Sequence, residues 1–230
     1  MFIFLDTETT GMGAHDRLCQ IAFKTQDGKV VNELFNPGRP ISYDAMAVHH
    51  ITNEMVHARP PFIGSAAHRA LKALVEGNKH VMVAHNAKFD VSMLQREEIH
   101  IPHHICTMKL ARFLDKEGVI PKYNLQFLRY FLKLNVKATP HDAYGDILVL
   151  EKLFYRIHEK MTGQSNVDPV ADMIRISQNP VRLARVPFGK HKGMLFRDVP
   201  VDYLEWLKTT DLDEDLEFTV NHYLGHPPSA

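Results

Sequence analysis

The chain opens on four consecutive apolar residues, Phe2-Ile3-Phe4-Leu5, followed at once by Asp6-Thr7-Glu8-Thr9-Thr10-Gly11. The apolar run reads as a strand, and the two acids sit two apart at its end. Strand side chains alternate between faces, so Asp6 and Glu8 point the same way. The pattern recurs at Val81-Met82-Val83, which leads into Ala84-His85-Asn86-Ala87-Lys88-Phe89-Asp90. A third segment, His141-Asp142-Ala143-Tyr144-Gly145-Asp146, opens a long helical stretch. A fold that buries both strands has to gather acids at their ends.

Two unit charges ~4 Å apart at an effective dielectric of ~20 repel by roughly 4 kcal/mol. Carboxylates converging from three segments therefore need cations, and carboxylate oxygen is the ligand that hard ions prefer. Asp6, Glu8, Asp90 and Asp146 are the candidate ligands for two divalent ions, Mg²⁺ or Mn²⁺. Such a pair would clamp the attacking and leaving oxygens of a displacement at phosphorus. His141, five residues ahead of Asp146, is the candidate general base, because an imidazole titrates near 6.5. Each piece has a plainer reading: Asp90 and Asp142 as helix N-caps, Asp146 as a favourable charge in a first helical turn. The order of the three segments, two directly after apolar runs, favours the site.

Residues 18–25 and 30–36 read as strands joined by the Asp27-Gly28 turn signal. Residues 37–60, rich in Pro and His, read as irregular with a short helix near 53–57. Residues 65–76 have helical spacing ended by Gly77, and 80–84 form a buried strand. Helices are expected at 89–97, 107–115 and 124–133. The last core helix runs over 143–161, with Ile147, Leu150, Leu153, Phe154 and Ile157 as its apolar face. A hairpin followed by alternating strands and helices is an α/β pattern: a mixed β-sheet flanked by helices. The expected division is a catalytic domain over 1–163 and, after a linker at 163–167, a small C-terminal accessory module over 164–230. Tyr203 and Trp206 are expected in the core of that module.

With 45% hydrophobic and 23% charged residues, the composition is that of a globular protein, and no apolar run approaches the ~18 residues of a membrane span. The N-terminus has no basic leader, and Cys19 and Cys106 make no disulfide framework. A cytoplasmic, reducing location with no membrane contact is expected. The 15 histidines match no closed zinc spacing. Formal net charge is zero, but its distribution is uneven. Residues 173–197 carry six Lys or Arg and no acid; residues 105–137 carry seven against Asp115 and Glu117; residues 198–217 carry eight acids and Lys208 alone. The basic segments suit phosphate contacts.

The pattern Asp-x-Glu, Asp, His-x-x-x-x-Asp on Asp6, Glu8, Asp90, His141 and Asp146 resembles the DEDDh family of 3′→5′ exonucleases, which includes polymerase proofreading subunits. A sister group carries Tyr four residues before the last Asp, where this chain has Asp142. Ala45-Met46-Ala47-Val48-His49-His50-Ile51-Thr52, residues 105–112, Phe188-Gly189-Lys190-His191-Lys192-Gly193, residues 202–207 and Asn221-His222-Tyr223-Leu224 resemble segments of the exodeoxyribonuclease X group of that family. The resemblance implies a ribonuclease-H-like fold and metal-dependent release of 5′-mononucleotides from single- or double-stranded DNA 3′ ends, in repair or end trimming. Thr7, Thr9, Met12, His85 and Asn86, which flank the acids, are candidate substrate contacts, with Lys190 and Lys192 in the module. Met12 is a candidate wedge under a terminal base. Repair or polymerase proteins are candidate partners. The alternatives are a polymerase proofreading or binding subunit, and an exonuclease that trims RNA.

Overall fold

A computed structural model describes residues 1–77, 79–137, 143–163 and 168–225; His141, Asp142 and most of the expected linker lie outside them. Five strands, β1 (Phe2–Thr9), β2 (Leu18–Thr25), β3 (Val30–Leu34), β4 (Val81–Ala84) and β5 (His104–Cys106), form one sheet in the order β3-β2-β1-β4-β5. β1 to β3 are antiparallel, while β4 and β5 run parallel to β1 and to each other. The helices are α1 (Tyr43–His49), α2 (Asn53–His57), α3 (Ala66–Glu76), α4 (Ala87–Arg96), α5 (Thr107–Leu114), α6 (Leu125–Phe131), α7 (Ala143–Thr162), α8 (Val170–Gln178), α9 (Val201–Lys208) and α10 (Glu214–Gly225). Among the described residues no helix is long and apolar enough to cross a membrane.

The strands' alternation builds a core on each face of the sheet. Ile3, Leu5, Ile21, Phe23 and Met82 pack against Leu71 and Val75 of α3 and Met93 and Leu94 of α4. Phe4, Ala22, Val83 and Ile105 pack on the other face, against Leu110, Leu128 and the apolar side of α7. Phe154 of α7 meets Phe2 and Phe4 edge-on, with centroids 4.7 and 5.5 Å apart. Ser65 caps α3 by accepting from the His68 amide, and Asn124 caps α6 by accepting from Phe127.

The structure moves several expected boundaries. β1 continues to Thr9, so Asp6 and Glu8 lie within the strand, paired with Ala22 and Gln20 of β2. α1 and β5 are additions; each is short and carries little periodic signal. The C-terminal part also divides differently. α8 buries Met173 and Ile176 in the same core as α7, so this helix belongs with the nuclease body. A separate small core begins at Leu183 and gathers Val186, Phe196, Leu204, Leu207, Leu216 and Val220. Trp206 is not in it: the side chain is 50% exposed, while Tyr203 packs at its edge.

Candidate active site

β1 delivers two acids and α7 a third. Asp6 and Glu8 are half-buried on the face of β1 that also carries Phe4, and the ladder to β2 shifts register at Glu8/Thr9. Asp146 lies in the first turn of α7. One oxygen from each of Asp6, Glu8 and Asp146 lies within 4.8 Å of the others. Three anions this close repel one another, and a cation between them removes the repulsion. An all-carboxylate donor set fits a hard divalent cation rather than a soft metal. The Gln126 amide of α6 donates to Asp146 Oδ1, and Arg129 donates to the Gln126 carbonyl at 3.1 Å. No spacing in the sequence pointed to Gln126; only the packing of α6 beneath α7 reveals it.

Asp90 does not join this trio. It is 3% exposed in the first turn of α4, where Thr7 Oγ1 donates to its Oδ1 at 2.8 Å. Burial pushes its carboxyl well above the ordinary carboxylate range, and the Thr7 hydroxyl opposes that shift. The alternation that points Asp6 and Glu8 one way points Thr7 and Thr9 the other. Both threonines are buried, and Thr9 Oγ1 donates to the Gly11 carbonyl at 2.7 Å. Each hydroxyl thus donates its proton within the protein.

The turn from β4 into α4 is set by Asn86, whose φ of 65° is left-handed. Asn tolerates that conformation better than most residues, and its side chain is exposed there. The neighbouring His85 is fully engaged: Nδ1 lies 2.9 Å from Thr107 Oγ1, and Nε2 lies 2.7 Å from the Tyr123 carbonyl. Burial lowers its pKa to about 4. With both ring nitrogens held, His85 props the turn.

The loop after β1 is built around Asp16. Its carboxylate accepts from Thr10 Oγ1 at 2.6 Å and from the Gly13 amide at 2.7 Å, and the Thr10 hydroxyl holds its pKa down. A Cβ on Gly11 would lie 2.6 Å from Asp16 Oδ2, so any larger residue has to push the Asp16 carboxylate out of its place. Arg96 closes the loop by donating to the Gly13 carbonyl at 2.9 Å. Met12 rides on this scaffold with 87% of its surface exposed. His49, also unforeseen, supports the end of β1: its Nδ1 accepts from the Ile51 amide, leaving Nε2–H to donate to the Thr9 carbonyl at 3.1 Å. Lys190 and Lys192 are exposed on the C-terminal module.

A ribonuclease-H-like mixed sheet with a carboxylate cluster at its central strand is the arrangement of phosphodiester-cleaving enzymes, and comparison with known proteins places this chain among the exonucleases. Residues 3–154 match the model of the exonuclease family RNase_T, and the chain belongs to that family. Exodeoxyribonuclease 10 of Escherichia coli K12 is 34% identical over 97% of this chain and 99% of its own length. DNA polymerase III subunit epsilon of Treponema pallidum is 33% identical over 70% of this chain and 80% of its own. The solved structure of exonuclease X in complex with 5′-overhanging duplex DNA aligns with a TM-score of 0.58 at 30% identity, covering 77% of this chain and 99% of that one. A solved structure of exonuclease I, at 19% identity and a TM-score of 0.56 over 71% of this chain and 43% of that one, shares the fold. Residues 179–214 also match a family described as a proposed quorum-sensing-regulated virulence factor.

Proposed function

We propose that this exonuclease is a metal-dependent 3′→5′ exodeoxyribonuclease that releases 5′-mononucleotides. The observation that carries the reading is the trio Asp6, Glu8 and Asp146, in a chain similar to an exodeoxyribonuclease along almost its whole length. In this reading two divalent ions, Mg²⁺ or Mn²⁺, are held by the trio and by Asp90, which lies outside the trio in this structure and would join it when the ions bind. Bound there, the ions supply charge neutralisation at phosphorus and a more acidic water. Thr7 keeps Asp90 oriented, and Gln126 does the same for Asp146. His141 takes the proton of the attacking water. As the new P–O bond forms, the bond to the 3′ oxygen of the penultimate nucleotide breaks. The products are a 5′-mononucleotide and a shortened strand with a free 3′ hydroxyl.

Met12, exposed on its braced loop, wedges under the terminal base in this reading. Asn86, exposed at the α4 turn, contacts the substrate backbone. Lys190 and Lys192 hold the DNA through the C-terminal module. The protein works on DNA in the cytoplasm, alone or beside repair or polymerase proteins. Similarity to a polymerase III epsilon subunit favours a second reading, a proofreading subunit. Copurification with a polymerase would support it.

The test uses single-stranded, duplex and RNA substrates carrying a 5′ label, incubated with Mg²⁺. The expected result is a ladder shortening from the 3′ end of DNA, with 5′-mononucleotides as the only small product. Internal cuts, shortening from the 5′ end, or faster digestion of RNA would overturn the assignment.

A further inference from the structure

Both basic segments of the sequence end in one place. A cleft of about 450 Å³ lies where the end of α5 and α8 meet the C-terminal module. Arg112 and Lys116 line it from one segment, and Arg175, Arg182 and Arg197 from the other. Asp115 is the one carboxylate among the residues lining the cleft. Its oxygens already accept from the Val119 and Ile120 amides and from the Tyr123 hydroxyl, each at 2.8 Å.

The cations differ in how far they are neutralised. Arg112 is paired with Asp215 at 2.6 Å, although its buried Nε–H has no acceptor. Arg175 pairs with Asp172 at 2.8 Å, and Arg197 reaches Glu117 only at 3.9 Å, between exposed side chains. Arg182 faces a ring nitrogen, His222 Nε2, at 2.8 Å. Among the described residues, neither Arg182 nor Lys116 has a carboxylate within ion-pair distance. Phe113 and Phe218 also line the cleft, 40% and 46% exposed.

We propose that this cleft is a second DNA-binding site, which takes a single strand by its phosphates and stacks bases on the exposed rings. The proposal rests on the exonuclease reading and extends it to a surface outside the acidic centre. Guanidinium groups match phosphate geometry. Aromatic rings beside a cationic groove are the means by which proteins hold single strands without regard to sequence. The module carrying half of the cleft is fastened next to the catalytic turn, since Glu214 of α10 accepts from Lys88 at 3.1 Å, two residues from Asp90.

Fluorescence anisotropy of dye-labelled oligo(dT), about twenty nucleotides long, with the full chain in EDTA reads binding without hydrolysis. Replacing both cations, Lys116→Ala with Arg182→Ala, should flatten the dependence of log K on log salt by about 1.4, at ~0.7 per lost contact on a single strand. Phe218→Ala should weaken binding by about 5-fold or more, the lower range for one lost stacking contact. Turnover of the p-nitrophenyl ester of thymidine 5′-monophosphate with Mg²⁺ checks that the acidic centre is intact. Unchanged affinity and salt slope in the double variant would overturn the proposal. So would binding of thymidine monophosphate but not of oligo(dT) at the cleft. A chain that binds oligo(dT) through the cleft yet cleaves neither DNA nor the ester would remove the exonuclease reading and leave the cleft standing.

Discussion

Asp6 and Glu8 were legible because two acids at strand spacing must share a face. What the residues around them do was not legible, because the partners are distant in sequence. Thr7 meets Asp90 across 83 residues, and Gln126 meets Asp146 across 20. The same alternation turns Thr7 and Thr9 to the opposite face from the acids, and His85 commits both ring nitrogens to Thr107 and Tyr123. His141 lies outside the described residues, and its role rests on its place before Asp146 and on chemistry. His141→Ala should lower kcat by roughly 10²–10⁴, with the acid limb of the pH profile lost alongside. An unchanged rate at neutral pH would remove it from the mechanism. His85 makes a prediction about stability. Its pKa falls from an ordinary 6.5 to about 4 on folding, so below 6.5 the unfolded chain binds the extra proton. The stability His85 contributes is complete above pH 6.5 and is lost as pH falls toward 4. Denaturant titrations at pH 7 and 4.5 should show the drop, and His85→Asn should reduce it.

Elements with long periodic faces were the legible ones. α3 and α7 appear where the apolar spacing placed them, and the short α2 matches its expected bounds. The three residues of β5 and the seven of α1 carried too little pattern to be seen. α8 was hidden differently: the acid-free stretch that begins within it at Met173 drew attention to charge, while Met173 and Ile176 packed it onto the sheet's core. Loops gained their order from single buried acids. Glu97, 2% exposed, accepts from Arg17 at 2.8 and 2.9 Å and so anchors the start of β2 behind the Met12 loop. Glu97→Ala should cost about 1.5–3 kcal/mol, the range for hydrogen bonds to a charged group. Chemical denaturation measures the loss. If Met12 works as a wedge, KM for DNA should rise in the same variant as its loop loosens.

At the scale of the molecule, a catalytic body and a small module are held together by charge and close contact. Lys109 and Arg112 of α5 meet Glu214 and Asp215 of α10, each at 2.6 Å. Gly118, with φ 65°, lies so near the module that a Cβ would come within 2.9 Å of Ala184 Cβ and Leu195 Cδ2. Gly118→Ala should therefore destabilise the protein by about 1–3 kcal/mol, read as a lower denaturant midpoint. The sequence showed two parts of the chain but drew the boundary ahead of α8, because a seam made by side chains leaves no periodic mark. The central claim concerns the acidic centre at β1 and α7. Its most direct test is the rate of mononucleotide release from oligo(dT) after exhaustive metal stripping, followed by Mg²⁺ titration of the wild type, Asp6→Asn and Asp146→Asn. The account predicts no release without metal, saturable recovery in the wild type, and little or no recovery in either variant despite an unchanged fold. Release by the metal-free protein, or normal recovery in both variants, would contradict it.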